Sequence, residues 1–417
     1  MTDGGVPPGR CRLIMPRILQ RTASIFLGVA ALGAGYGLMM TLVSVRLARG
    51  ALTNGAIGAV TSVFFLGGIA GVWYSRWVIE RVGHIRSFAA FAALLACVTV
   101  THTLTANPWA WALLRGLAGF FFYALLLVAE SWLNEETPPA ARGRILAGYM
   151  IVYFLSQVAG QLLLNVADTG SRALFTLSAM LIVISLVPVS LVRSAQPRAI
   201  EARRLRFAEL VRISPLAVTG CFVGGFLMSA YYAMAPVFGQ RIGLSDSQIS
   251  LMMASALAGG LLGQWPLGSW SDRVGRHRAL AVVALAIVAG GLAGNLPHLP
   301  FWGLLGLMAG LGTALFSVYP LSNAQANDFV EPRHTVALGR GLLMVFGVGS
   351  VVAPLVVGVS MDLLGPGGLF AAVAAAGAVL ELATLPARTL PRRLRRMSVY
   401  VSQGSVAAPG LDPRSGR

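Results

Sequence analysis

Twelve stretches of this chain are apolar for long enough to cross a bilayer, and that feature leaves almost no other fold open to it. They fall at about 22–47, 55–75, 87–106, 109–132, 144–166, 173–193, 214–239, 248–269, 279–296, 300–322, 338–361 and 368–387. Lipid offers no partner to a backbone amide or carbonyl, so each run must close its hydrogen bonds within itself as a helix. At about 20 residues per span, twelve helices use about 240 residues and leave roughly 14 for each tail and loop. No separate soluble domain fits. The runs are punctuated by Asn107-Pro108, Pro138-Pro139, Pro297 with Pro300, and Gly365-Pro366-Gly367-Gly368, turn formers suited to the water interface. The reading is an all-α polytopic membrane protein. Composition agrees: 56% of the 417 residues are hydrophobic and 11% charged, with a mean hydropathy of +0.74.

All 32 basic residues are arginine, against 15 acidic ones. The absence of lysine excludes a Walker A nucleotide loop and Schiff-base or Ser-Lys chemistry. So large a positive charge suits nucleic acid, but here the arginines are scattered through short loops, as membrane topology requires. No nucleic-acid partner is expected. With both termini cytoplasmic, 27 of the 32 arginines fall inside, leaving Arg46, Arg49, Arg115, Arg172 and Arg241 outside or within helices. The longest internal loop, with Arg203, Arg204 and Arg206, divides two sets of six helices. The expected layout is a cytoplasmic tail 1–21, a bundle 22–193, a linker 194–213, a second bundle 214–387 and a basic tail 388–417. Cys11, Cys97 and Cys221 have no metal or disulfide spacing, and neither cofactor nor metal is expected. No cleavage site follows the first apolar run, so that run is read as a retained helix.

The halves repeat. At an offset of 192, Gly28, Gly33, Arg49, Gly67, Gly68, Gly71, Trp73, Arg81, Val82, Gly83 and Arg86 recur as Gly220, Gly225, Arg241, Gly259, Gly260, Gly263, Trp265, Arg273, Val274, Gly275 and Arg278. The shared G-G-x-x-G-x-W on the second and eighth runs places small residues where helix backbones approach. Two pseudo-symmetric six-helix bundles are indicated.

Between the eighth and ninth runs the sequence reads Gly268-Ser-Trp-Ser-Asp272-Arg273-Val-Gly275-Arg276-His277-Arg278. This resembles motif A of the major facilitator superfamily, G-x-x-x-D-R-x-G-R-[KR]. The first-half copy, around Glu80, Arg81, Gly83 and Arg86, lacks the leading Gly and has Glu for Asp. The resemblance extends over nearly the whole chain through the helix count, the basic central loop and the repeat. It implies alternating access by rocking bundles, with a small-molecule substrate near mid-membrane. It also implies a cytoplasmic gate in which Asp272 faces the start of the fifth helix near Gly143 and Arg144. Glu80 correspondingly faces the start of the eleventh near Gly339 and Arg340.

Arg115 stands about 9 Å deep in the fourth helix, where a charge is costly unless it meets a cavity or partner. The second half builds the equivalent helix around Gly306 without an arginine. Arg115-x-x-x-Gly119 is similar to motif B, which implies proton coupling or anion binding; the alternative is snorkelling to headgroups. Glu130, near the inner end of the same helix, is expected to pair with Arg81 or Arg144 as part of the gate, or else to titrate. Tyr149, Tyr153, Gln157, Gln161 and Asn165 recur every four residues, a row that winds round its helix by about 40° per step. Gln157 and Gln161 are expected to face the cavity. Tyr36, Tyr231 and Tyr232 lie on helices that the family resemblance places around it, with plain packing as the alternative.

A hydrolase is disfavoured because neither H-E-x-x-H nor G-x-S-x-G occurs. The expected function is a proton-coupled secondary transporter of a small solute, a monomer surrounded by lipid in a bacterial cytoplasmic membrane. An efflux protein and a non-transporting receptor or scaffold on the same fold are the alternatives. The missing Gly-Pro pair in the fifth helix weighs against efflux, and a cavity of Arg, Gln and Tyr favours an anionic or polar solute over a cationic one.

Overall fold

The computed structural model describes residues 8–137, 141–191, 207–297, 299–330 and 335–389. Twelve long helices account for nearly all of them. In the first half these are α1 (Pro8–Arg49), α2 (Asn54–Val82), α3 (His84–Thr101), α4 (Pro108–Glu136), α5 (Arg142–Leu162) and α6, which runs Ala173–Ile184 and resumes as Leu186–Ser190. The second half has α7 (Pro215–Ser229, continued as Ala235–Arg241), α8 (Asp246–Val274), α9 (Arg276–Ala293), α10 (Phe301–Asn327), α11 (Thr335–Leu364) and α12 (Gly368–Thr389).

Helix ends follow local chemistry. Asn107 caps α4 by accepting from the Trp109 amide at 2.9 Å, with Pro108 in the first turn. Ser245 and Gln248 form a reciprocal capping box at the start of α8. The α2–α3 and α8–α9 turns are single residues, Gly83 at φ 84° and Gly275 at φ 97°. Both lie in a region that side chains with a Cβ rarely adopt.

Two boundaries and one span differ from the sequence reading. Residues 8–21, expected as tail, extend α1, and Ile14 with Ile18 and Met15 with Leu19 continue a four-residue apolar spacing there. The end of the expected linker is a short helix, Phe207–Ile213, with Leu210 and Ile213 buried against Leu338 and Leu342. Among the described residues, eleven helices are both long and apolar enough to cross a membrane; α8 has the length, 29 residues, but carries Asp246, Gln248, Gln264, Asp272 and Arg273. Residues 1–7, most of the linker, Pro138-Pro139 and nearly all of the C-terminal tail lie outside the described residues.

Packing repeats between halves. α2 packs on α4 as α8 packs on α10, α1 on α5 as α7 on α11, and α3 on α6 as α9 on α12. The bundles meet along α2 against α11 and α5 against α8, related by exchange of the halves. The shared glycines explain the closest of these contacts. A Cβ on Gly67 would collide with the Gly116 carbonyl of α4, and one on Gly259 with the Ala309 carbonyl of α10. Small residues let backbones approach in lipid, where apolar surface alone gives helices no reason to associate.

Candidate functional site

Arg115 is completely buried in α4. Its Nη2 donates to the Met40 thioether at 3.2 Å and its guanidinium lies over the Phe64 ring at 4.5 Å. Nε and Nη1 have no hydrogen-bond partner, and no carboxylate lies within ion-pair distance of them among the described residues. Cation–π contact compensates part of the lost hydration, but two orphaned donors on a buried cation are expensive. Snorkelling does not describe this side chain, because it reaches neither water nor headgroups. Tyr36 lies beside it, stacked on Phe122 with ring centroids 3.7 Å apart, and the Tyr36 hydroxyl interacts with the guanidinium without reaching hydrogen-bond geometry.

From α5, Gln157 donates to the Tyr153 hydroxyl at 3.0 Å, while its Oε1 is buried without a donor. Gln161 behaves otherwise. Its Oε1 accepts from Thr41 at 2.5 Å and its Nε2 donates to the Gly37 carbonyl at 3.1 Å. Both ends of that amide are used up on α1, so Gln161 ties two helices and does not face the cavity as expected. The reason is the winding of the row, whose successive members point about 40° apart.

The second bundle contributes Tyr231 and Tyr232. They lie in one π-helical turn, Ala230–Met234, inside α7, a local widening that recurs at functional sites. Tyr231 donates to the Met253 carbonyl at 2.5 Å. The buried Tyr232 hydroxyl has no partner and lies within electrostatic range of Tyr123 and Tyr153 of the first bundle. Phe316 of α10 closes the group edge-on to Phe154, Tyr231 and Tyr232, with centroids 5.3, 5.6 and 6.2 Å away. Four side chains with unsatisfied polar atoms, Arg115, Tyr36, Gln157 and Tyr232, thus sit in an aromatic enclosure built by both halves. Tyr123, Phe64, Met40 and Phe316 belong to it and were not legible, because an aromatic or Met within an apolar run has the signature of packing.

The gate residues are arranged differently from expectation. Arg81 lies over the Trp77 ring, 3.8 Å from its centroid, and Arg144 is exposed; neither pairs with Glu130. The half-buried Glu130 instead faces the Tyr149 hydroxyl. Asp272, with its side chain 64% exposed, pairs with Arg276 at 3.4 Å, and Arg276 also holds Asp328 at 2.9 Å. That cluster stays within the second bundle and does not reach the start of α5. Glu80, Arg86 and Arg273 are exposed and Arg340 is half-buried; Glu80 joins no ion pair among the described residues. Nothing lies within 4 Å of where a Cβ on Gly268 would stand, nor of one on Gly143 or Gly339. These gate residues share the side of the molecule that carries the start of α1 and the end of α12, the termini end.

At the opposite, odd-loop end the bundles are tied together. Arg49 at the end of α1 pairs with Asp246 at the start of α8 at 2.7 Å, and Thr169 donates to the other oxygen of Asp246 at 2.9 Å. Arg241 at the end of α7 donates to the Asn54 side chain and to the Leu52 carbonyl, both at 2.9 Å. Asp362 of α11 accepts from the Asn54 and Gly55 amides, both at 2.8 Å. Deeper, Ser250 donates to the Gln161 carbonyl at 2.7 Å and accepts from Asn165 at 3.1 Å. The repeat organises this seal: at an offset of 192, Arg49 corresponds to Arg241 and Asn54 to Asp246, so each arginine grips the partner bundle's equivalent position.

The sequence profile of the Major Facilitator Superfamily matches residues 25–343 and 242–399. Uncharacterized MFS-type transporters of Yersinia enterocolitica and Escherichia coli are each 29% identical, over 75% and 78% of this chain and 82% and 85% of theirs. Among solved structures, a nucleoside transporter shares the fold with a TM-score of 0.71 at 16% identity, covering 88% of this chain and 99% of that one. A bacterial homolog of the lysosomal transporter Spinster in an inward-facing, unoccupied conformation gives 0.67 at 16% identity, over 95% and 100%. A D-xylose-proton symporter gives 0.68 at 16% identity, over 88% and 97%. With the profile spanning both bundles, the chain belongs to the Major Facilitator Superfamily of membrane transporters.

Proposed function

We propose that this protein moves a small polar or anionic solute across the bacterial cytoplasmic membrane by alternating access, coupled to protons. Both termini lie on the cytoplasmic side in this reading, which makes the tied odd-loop end external and the conformation an inward-facing one. The observation that carries it is the Arg115 guanidinium, buried in the first bundle against Met40, Phe64 and Tyr36 with two free donors and no acidic neighbour among the described residues. A permanent structural cation would be expected to have a counter-ion; one awaiting an anion or an acceptor oxygen would not. The proton-symporter likeness concerns the fold, and coupling here rests on the intramembrane charges themselves.

The test is proton flux in sealed proteoliposomes, read with a pH-sensitive dye while sugars, carboxylates, amino acids and cationic drugs are added in turn. A solute-dependent signal in wild type that Arg115→Gln abolishes supports the reading and identifies the solute class. An unchanged signal in Arg115→Gln removes Arg115 from the site, and a response confined to cationic drugs overturns the anionic or polar assignment.

A further inference from the structure

Glu130 is a carboxylate within a membrane-spanning helix, with no cation paired to it among the described residues. Its position is about six residues, or about 9 Å, from the termini end of α4. No arginine lies within ion-pair distance of it among the described residues. The nearby basic groups are committed elsewhere. Arg81 is stacked on Trp77, Arg115 is held by Met40 and Phe64 four turns away, and Arg276 holds Asp272 and Asp328. His84 of α3 lies 3.2 Å from the Ser131 hydroxyl and 3.8 Å from Glu135, away from Glu130.

The groups that do face Glu130 are phenols. Tyr149 and Tyr153 approach it from α5, and Tyr319, which neighbours Cys221, approaches from α10 in the other bundle. Tyr153 in turn accepts from Gln157, whose orphaned oxygen lies against Gly37, the residue after Tyr36. A file of hydroxyl and amide groups therefore leads from Glu130 toward the Arg115 enclosure.

We propose that Glu130 is the proton-carrying carboxylate of the transport cycle and that the termini end closes only when it is protonated. The proposal rests on the alternating-access reading above. With the odd-loop end tied shut, a minor part of the Glu130 surface is still accessible to water. Rocking the bundles together at the termini end presses the α10 face carrying Tyr319 toward α4 and removes that water. Closing over an anion leaves an unpaired charge in the membrane interior, whereas closing over the neutral acid leaves only a hydroxyl and a carbonyl among phenols. In the step itself, hydronium from water at the termini end gives its proton to a Glu130 carboxylate oxygen and leaves as water. The same proton returns to water when the opposite end opens.

The test needs no substrate. Cys11, Cys97 and Cys221 are replaced, and spin labels are placed at Val82 and Leu385. Both positions are exposed, on opposite bundles, near the termini end. The distance between labels is then measured in nanodiscs by pulsed electron resonance at about pH 5 and about pH 9, both of which lie between free carboxyl and free phenol titration. Wild type is expected to populate a shorter distance at the lower pH. Glu130→Gln should show the shorter distance at both, with the pH response lost, and Glu130→Asp should retain a response with a displaced midpoint. A pH response in Glu130→Gln equal to wild type overturns the proposal, and so does a Glu130→Asp protein that folds but responds no more than the Gln variant. A single distance in every protein and at every pH, with added solutes too, would instead count against alternating access itself.

Discussion

If the ties at the odd-loop end hold the bundles shut, removing Asp246 should open that end by a calculable amount. Asp246→Ala deletes two links between the halves. The Arg49 pair, with side chains 37% and 24% exposed, is worth about 0.5–1 kcal/mol at such accessibility. The Thr169 hydroxyl bond adds about 0.5–1.5 kcal/mol. Asp246 also sits favourably at the positive end of α8, but that contact exists whether the bundles are together or apart and cancels from the gate equilibrium. The net loss is about 1–2.5 kcal/mol, so the sealed to unsealed ratio should fall about 5- to 70-fold. Spin labels at Leu104 and Leu296, exposed residues at equivalent positions of the two halves, read this directly as growth of a longer-distance population. Because only part of the effect is ionic, high salt in wild type should reproduce a fraction of it. A distance distribution in Asp246→Ala within twofold of wild type would refute the assignment of the seal to these ties and shift it to the α2–α11 packing.

Two further substitutions test the packing. Gly259→Ala drives a methyl into the Ala309 carbonyl, whereas Gly306→Ala meets nothing within 4 Å; the first is expected to cost about 1–3 kcal/mol and lower the detergent-solubilised melting temperature, with the second unchanged. Gln161→Leu strips Thr41 and the Gly37 carbonyl of their buried partner, so it should destabilise by about 1–3 kcal/mol in the same assay without altering which solutes elicit proton flux.

The helices and their repeat were legible because both are written in composition along the chain: a bilayer demands length and apolarity, and close helix contacts demand glycine at fixed spacing. α8 is less apolar than the other spans, since Gln248 and Gln264 lie within its run at 248–269. The site was legible only where a residue is chemically out of place, as Arg115 is. Spacing could not separate Gln157 from Gln161, because a row that winds by about 40° per step does not say which of its members meets α1. Asp272 was expected to reach α5 but pairs with Arg276, which the single-residue Gly275 turn brings back beside it. The seal itself had a signal in the repeat, since the offset relating Arg49 to Arg241 also relates Asn54 to Asp246. What the sequence could not indicate is that the partners are exchanged between halves.

That exchange leaves one asymmetry: the first half offers Asn54 where the second offers Asp246. The structure explains it, because the anion on that side is already supplied by Asp362, bound to the amides at the start of α2. Arg241 therefore meets a neutral side chain next to a charged one. Asn54→Asp looks as if it should complete the symmetry and strengthen the seal by the worth of an exposed ion pair, about 0.2–1 kcal/mol. It would instead place a second carboxylate against Asp362, and like charges at that range cost a similar amount or more at an effective dielectric near 20. In the wild-type background Asn54→Asp should thus fail to tighten the odd-loop end, or should loosen it. With Asp362→Asn in place, the repulsion is gone and the same substitution should tighten it. The Leu104–Leu296 distance populations of the four proteins form a double-mutant cycle whose coupling term isolates the repulsion between the introduced carboxylate and Asp362. Additive effects would mean that Asp362 holds the start of α2 only through the backbone, and that the neutral side chain of Asn54 has no electrostatic cause.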